Sequence, residues 1–320
     1  MGGFVKDGTT SKYDWVGMLR GKDRLQITDP AKGYIVTANN RLASKNFRGG
    51  RYASNWLITA RAIRISEMIQ HKIDNGHKLT IEDSKQIQLD TVDVFCRKVA
   101  SHLTLLDPEF KRLLDGWDCN FKHTSHEASI YSMFIYLLQK KLKPASVPIE
   151  GHHFFNHFTY KHILKTTTDD VDNATVIRQT LKDTKKKLEE WFMSSNESSW
   201  VWGKLHTDYM EHRPFSRSPF ARVFERISPG RGNENTPNVG LMRKLPEGDW
   251  STNHRAGIRT ILTFEEGKSE WIIDSGSSEN IFSSKHYSYL DFYDDQFKLF
   301  QNDKYIPFDS LPKQKGSAEL

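Results

Sequence analysis

The chain of 320 residues carries 46 basic and 40 acidic side chains, 37% hydrophobic residues and 12% aromatics, with 8 Trp and 19 Phe among them. That aromatic content excludes a disordered polymer, and no apolar run approaches the ~18 residues of a spanning helix. The net charge of +6 is interspersed, as where Lys185, Lys186 and Lys187 precede Glu189 and Glu190, which describes a solvated helix face and not a nucleic-acid stripe.

The opening residues, Met1 to Lys6, lack the apolar core of a signal peptide and the Ser or Thr that favours myristoylation. Residues 1–32 read as a polar, turn-rich loop. Gly33 to Ala38 then reads as a buried strand, since Tyr34, Ile35 and Val36 favour extended backbone, and it ends in Asn39-Asn40. Residues 59–74 place Ile63, Ile65, Met68, Ile69 and Ile73 on one helical stripe, stopped by Asn75-Gly76. Thr80 and Asp83 form a capping box for a second helix reaching about residue 104, with Ile87, Val92, Phe95, Cys96 and Val99 inside. A third helix follows Ser125 through Leu138, and a fourth runs from about residue 174 to Met193. Beyond residue 200, Thr260–Phe264 and Glu270–Asp274 read as a hairpin around Gly267-Lys268. Strand, helices, then strands predicts an α+β fold with the helices segregated from a mostly antiparallel sheet. Cys96 and Cys119 permit at most one disulfide, show no metal-type spacing and leave the compartment open.

The stretch Lys32-Gly-Tyr-Ile-Val-Thr-Ala-Asn-Asn-Arg41 puts two carboxamides at a strand end, where a side-chain N–H can donate to an oxyanion; the same residues also suit a simple turn. It resembles the oxyanion segment of the penicillin acylase family. Tyr13-Asp-Trp-Val-Gly17, Ala60 to Glu67, Ile87 to Asp90, Leu114 to Asp118, Trp200-Val-Trp-Gly-Lys-Leu-His206 followed by His212, and Trp271 to Asp274 match the family in order. These ordered matches cover roughly residues 10–310. The family often has Gly-Gln-Ser-Gly where this chain has Gly276-Ser-Ser-Glu279, before His286-Tyr287 and Asp291.

The resemblance implies part of the αββα fold of N-terminal-nucleophile hydrolases, divided as leading loop and oxyanion strand (1–58), helical region (59–196), strand-rich return (197–310) and tail (311–320). It implies that Asn39 is the oxyanion donor and that Arg64 orients it and the nucleophile's amino group, with Arg61 the competitor for that role. The family nucleophile is a Ser whose own α-amino group is the base, so no triad is needed. It is expected upstream of Asn39, on another segment or on a partner polypeptide carrying the remainder of the fold. Ser54-Asn55-Trp56 mimics the family's mature start, but it lies after the oxyanion strand, and Ser11 has no cleavage-like surroundings. The implied activity is hydrolysis of linear amides, as in penicillin or acyl-homoserine-lactone acylases, through a Ser acyl-enzyme. The alternative is an inactive structural subunit of a larger assembly derived from such an acylase. A nucleic-acid module rests only on the basic pI and ranks last. No cofactor is expected; a structural calcium is implied by the resemblance alone. His152, His153, His157 and His162 sit among Phe154, Phe155 and Phe158, and read as an aromatic cluster in preference to a zinc site.

Overall fold

In the computed structural model, the description covers residues 5–44, 47, 59–142, 152–211, 215–219, 221–242, 250–265, 267–274 and 297–308. Seven helices of seven or more residues precede every described strand: α1 (Ala60–Asp74), α2 (Ile81–Leu89), α3 (Val94–Leu106), α4 (Pro108–Leu114), α5 (His126–Leu142), α6 (His152–Lys165) and α7 (Val171–Phe192). Two single turns, α8 (Trp202–Leu205) and α9 (Ala221–Phe224), and seven short strands follow. The strands are β1 (Thr207–Met210), β2 (Arg226–Pro229), β3 (Gly240–Met242), β4 (Thr252–Arg255), β5 (Ile258–Ile261), β6 (Glu270–Ile273) and β7 (Ile306–Pro307). They form one sheet in the order β2-β1-β4-β3 and a second in the order β5-β6-β7. Every pairing is antiparallel except β1 with β4. The α+β segregation therefore holds.

Local chemistry explains most helix ends. Thr80 Oγ1 accepts from Asp83 N at 3.1 Å while an Asp83 carboxylate oxygen accepts from Thr80 N at 2.9 Å, the reciprocal capping box expected from the sequence. Ser125 Oγ accepts from Ala128 N at 3.1 Å at the start of α5. Gly76, at φ +71°, turns the chain after α1 in a conformation that side-chain-bearing residues resist. The expected hairpin is the β5–β6 ladder, pairing Ile258 with Ile273 and Ile261 with Glu270.

Two expectations are corrected. The single helix from residue 80 to 104 is broken at residues 90–93. There Thr91 O accepts from Phe121 N at 2.8 Å, and the Asp93 carboxylate caps α3 by accepting from Phe95 N and Cys96 N. Gly33–Ala38 is not a strand: among the described residues nothing forms a ladder with it, and extended backbone without a neighbour is not sheet. β-propensity alone supplies no partner. Helices α4 and α6 were not foreseen, because α4 is short and α6 interleaves His with Phe.

The core lies around α5, whose residues Ala128 to Tyr136 are all buried. Helices α6, α7 and the α8 turn pack on it, and α3 joins α4 and α6. Phe110 meets Phe134 edge-on at 4.8 Å, and Trp200 and Trp202 are fully buried beneath the sheet-bearing half. Cys96 and Cys119, both without exposure, form a disulfide that fastens α3 to the segment before α5. By contrast, residues 5–44 contain only two 3-10 turns and present Val5, Trp15, Val16, Met18, Leu19 and Ile35 outward, Trp15 at 92% exposure. Among the described residues no helix is long and apolar enough to cross a membrane.

Candidate active site

The candidate site is built where the 30–44 segment passes the first turn of α1. Ala38 is buried, and its N–H donates to Asn40 Oδ1 at 2.8 Å, a local amide–backbone bond that tightens the turn. Asn39 then adopts φ +59°, the left-handed region that Asn tolerates better than most side chains. Arg61, in the first turn of α1, donates from Nη2 to Asn39 Oδ1 at 2.5 Å. A guanidinium can only donate, so this bond settles the orientation of the Asn39 amide: its oxygen faces α1 and its NH₂ points the other way. Among the described residues no hydrogen bond engages that NH₂, and Asn39 is exposed. Burial pushes the Arg61 pKa down.

Arg64 is placed differently. Its Nε and Nη2 make a two-pronged contact with Asp90, at 2.9 and 2.7 Å, and its Nη1 lies 3.7 Å from Glu67. The hydrogen bonds it donates to Asp90 raise its pKa. Asp90 also accepts from Val92 N at 3.1 Å, and its backbone carbonyl accepts from Asn238 N at 2.9 Å. Arg64 thus ties α1 to the break between α2 and α3, and through it to the loop before β3. The geometry brings Arg61 to Asn39 and Arg64 to Asp90. Arg61, the competitor, and not Arg64, the residue the resemblance favoured, therefore contacts the Asn39 amide; the two stand three residues apart on one helix, and spacing alone does not separate their partners.

The remaining sequence candidates are less concentrated. Ser11 lies in the exposed 3-10 turn Ser11–Tyr13. Ser54, His212, the Gly276–Glu279 loop, His286, Tyr287 and Asp291 lie outside the described residues. The His-rich stretch is helical, as α6; the side chains of His152, His153 and His157 also fall outside the described set, and His162 has a buried Nε2 without a partner. Among the described residues no group of three His, Cys, Asp or Glu is arranged to hold a metal.

Two buried polar groups stand apart from the candidate site: Asp93, which the sequence did not single out, and His206 of the Trp-X-Trp-Gly-X-X-His element. Asp93, fully buried, accepts from Asn233 Nδ2 and Asn235 Nδ2 at 3.0 Å each, besides capping α3. Burial pushes its pKa up. His206 stacks on Trp202 at 4.6 Å, places Nδ1 2.8 Å from Trp250 O and Nε2 3.1 Å from Thr252 Oγ1, and has its pKa lowered by burial. A carbonyl only accepts, so Nδ1 carries the proton. The Trp-X-Trp-Gly-X-X-His element is accordingly a packing unit: a Cβ on Gly203 would come within 2.8 Å of both His123 and Pro229 Cβ atoms.

With this geometry in place, comparison with known proteins is decisive for the family. The family profile described as penicillin amidase matches residues 1–315. The chain belongs to the penicillin amidase family. Acyl-homoserine lactone acylase QuiP of Pseudomonas syringae pv. syringae is 22% identical over 304 residues, covering 80% of this chain and 35% of that protein. QuiP of Pseudomonas aeruginosa is 22% identical over 362 residues, covering 96% and 41%. This penicillin amidase family chain therefore spans well under half the length of those curated relatives. Among solved structures, a thermostable penicillin G acylase from Alcaligenes faecalis superposes with a TM-score of 0.57 at 13% identity, over 91% of this chain and 57% of that one. The likeness establishes the α+β fold as the one that acylase uses.

Proposed function

We propose that these residues form part of an amidohydrolase that cleaves linear amides by acyl transfer through a Ser ester. Asn39 is the oxyanion donor, and the Ser is supplied by a segment outside the described residues or by a partner chain. The observation that carries this reading is the Arg61–Asn39 bond. It holds the amide by its oxygen, 2.5 Å from Arg61 Nη2, so that the NH₂ is turned away from α1, which is the preorganisation that charge development on a tetrahedral intermediate requires. Arg61 and Arg64 are positioning residues in this scheme. Arg61 fixes the amide, and Arg64, through Asp90, fixes the start of α1 on which Arg61 stands. An N-terminal Ser with its own amino group as base completes the chemistry without a His or carboxylate, in keeping with the structural roles of His206 and Asp93. The exposed apolar side chains of residues 5–44, Trp15 and Val16 foremost, support contact with further polypeptide of the same fold. An acyl group of apolar character is the expected substrate, as the names of the acyl-homoserine lactone acylase relatives suggest.

The test is acyl transfer by the whole assembly as purified, with fatty-acyl and phenylacetyl amides as substrates. Asn39→Ala should lower kcat by about 10²–10³ with little change in KM. Arg61→Ala should lower kcat by a comparable factor, and Arg61→Lys should not restore it, since a point ammonium cannot reproduce the planar donor. If Asn39→Ala retains full activity, the oxyanion assignment is wrong. If the intact assembly turns over no amide and no companion chain begins with Ser, the chain is a structural subunit derived from an acylase.

A further inference from the structure

A small cavity of about 10 Å³ lies where β1, β4 and β5 meet the helical turn at residues 297–301, and its walls include Asp208, Arg231, Asn238, Arg255, Arg259 and Gln301. Three guanidiniums share this wall, and their hydrogen bonding is incomplete in one sense only. Among the described residues, Arg255 Nη1 and Nη2, Arg259 Nε and Gln301 Nε2 are all buried without a hydrogen-bond partner, and all four are donors. Arg259 itself is only 4% exposed. A buried donor without an acceptor is costly, so four of them on residues that line one cavity call for an acceptor.

The surrounding carboxylates do not meet that need. Asp303 is engaged by Arg231 through both guanidinium nitrogens and reaches Arg259 only at 3.5 Å. Arg255 lies 3.4 Å from Asp208 and 3.5 Å from Asp274, contacts that lower the field without making hydrogen bonds from Nη1 or Nη2. Arg259 stacks on Phe300 at 3.8 Å and directs Nη1 to Phe300 O and Nη2 to Asn238 Oδ1, leaving Nε unspent. Burial and the neighbouring Arg231 bring the Arg259 pKa down to about 10, the sign of a cation short of compensating charge. The size of the cavity restricts the occupant. It is close to the least volume that holds one water, so phosphate and sulfate are excluded, and a halide, somewhat larger than water, enters with a small outward shift of the side chains that line it.

We propose that this cavity binds one small monovalent anion, either a halide ion or a single carboxylate oxygen reaching in from its open side, held by Arg255, Arg259 and Gln301. The site is separate from the Asn39–Arg61 contact and does not depend on the acyl-transfer reading.

The experiment is a thermal-unfolding titration of the purified protein with sodium chloride, sodium bromide or sodium acetate, ionic strength being held constant with sulfate. A rise in Tm that follows ln(1 + c/Kd), with c the anion concentration, and reaches about 5 °C at hundredfold excess over Kd is expected for the anion that fits. Arg259→Gln should abolish it. Gln301→Met, which keeps volume and removes one donor, should weaken binding about tenfold if the arginine variant fails to fold. A rise with halides alone identifies a halide site, confirmed by an anomalous bromide peak between Arg255 and Arg259; a rise with acetate alone identifies a carboxylate site. If no anion raises Tm above the sulfate control by an amount that these variants weaken, the donors are served by water and the proposal is overturned.

Discussion

Removing the Asp93 carboxylate is the sharpest test of what holds the helical half to the strand-bearing half. Its two oxygens accept four hydrogen bonds: from Phe95 N at 2.9 Å and Cys96 N at 3.1 Å at the head of α3, and from Asn233 Nδ2 and Asn235 Nδ2 at 3.0 Å each. Losing an N-cap costs about 1 kcal/mol, and orphaning a buried amide donor costs about 1–3 kcal/mol. Recovery of the carboxylate's own desolvation cost offsets part of the sum, so Asp93→Ala should destabilise by about 3–5 kcal/mol. Asn233→Ala leaves Asp93 with three donors and should cost only about 1–2 kcal/mol. The assay is urea unfolding followed by tryptophan fluorescence, since Trp200 and Trp202 are buried. The midpoint shift multiplied by m gives the loss. A loss below about 1 kcal/mol for Asp93→Ala, or one no larger than that of Asn233→Ala, would refute the claim that this carboxylate fastens the two halves.

Reduction of Cys96–Cys119, or the Cys96→Ser/Cys119→Ser double variant, should cost about 3 kcal/mol, because the bond closes a loop spanning a sequence separation of 23; matched melts with and without reductant measure it. His206 has a folded pKa lowered by burial, so its contribution is present above the unfolded value near 6.5 and is lost as pH falls below it. Tm should therefore drop as pH falls below about 6.5, with the slope reduced in His206→Gln and the nearby Asp208 opposing but not reversing it. Gly232 sits at φ +73°, and a Cβ there would come within 2.1 Å of Asn238 O, so Gly232→Ala should displace the loop and lower Tm by several degrees.

What the sequence disclosed follows the range of the interactions involved. The Thr80–Asp83 box, the stop at Asn75-Gly76 and the β5–β6 hairpin are decided within a few residues; the first two are found where the pattern put them, and the hairpin forms with its first strand at Ile258–Ile261 in place of Thr260–Phe264. The break at residues 90–93 escaped because its causes are remote. Asp90 is held by Arg64 and Asp93 by Asn233 and Asn235, the latter 140 and 142 residues away. The segment at 33–38 has the composition of a strand, but a strand is a relation between two segments, and composition reports only one. At the candidate site, resemblance singled out Asn39 and two arginines; the pairing of Arg61 with Asn39 and of Arg64 with Asp90 needed coordinates. The arginines around the 297–301 turn carried no motif at all, since they come from separate strands and a loop.

The zero exposure of both sulfurs in the Cys96–Cys119 bridge has a kinetic consequence. Thiol–disulfide exchange requires a thiolate to approach along the S–S axis, so a reductant in solvent cannot attack until α3 parts from the segment ahead of α5. At high thiol concentration the reduction rate then ceases to depend on the reagent and equals the rate at which the helical core opens. The bridge is in effect a clock inside the protein, and its plateau rate reads the breathing of the layer on which α5 rests.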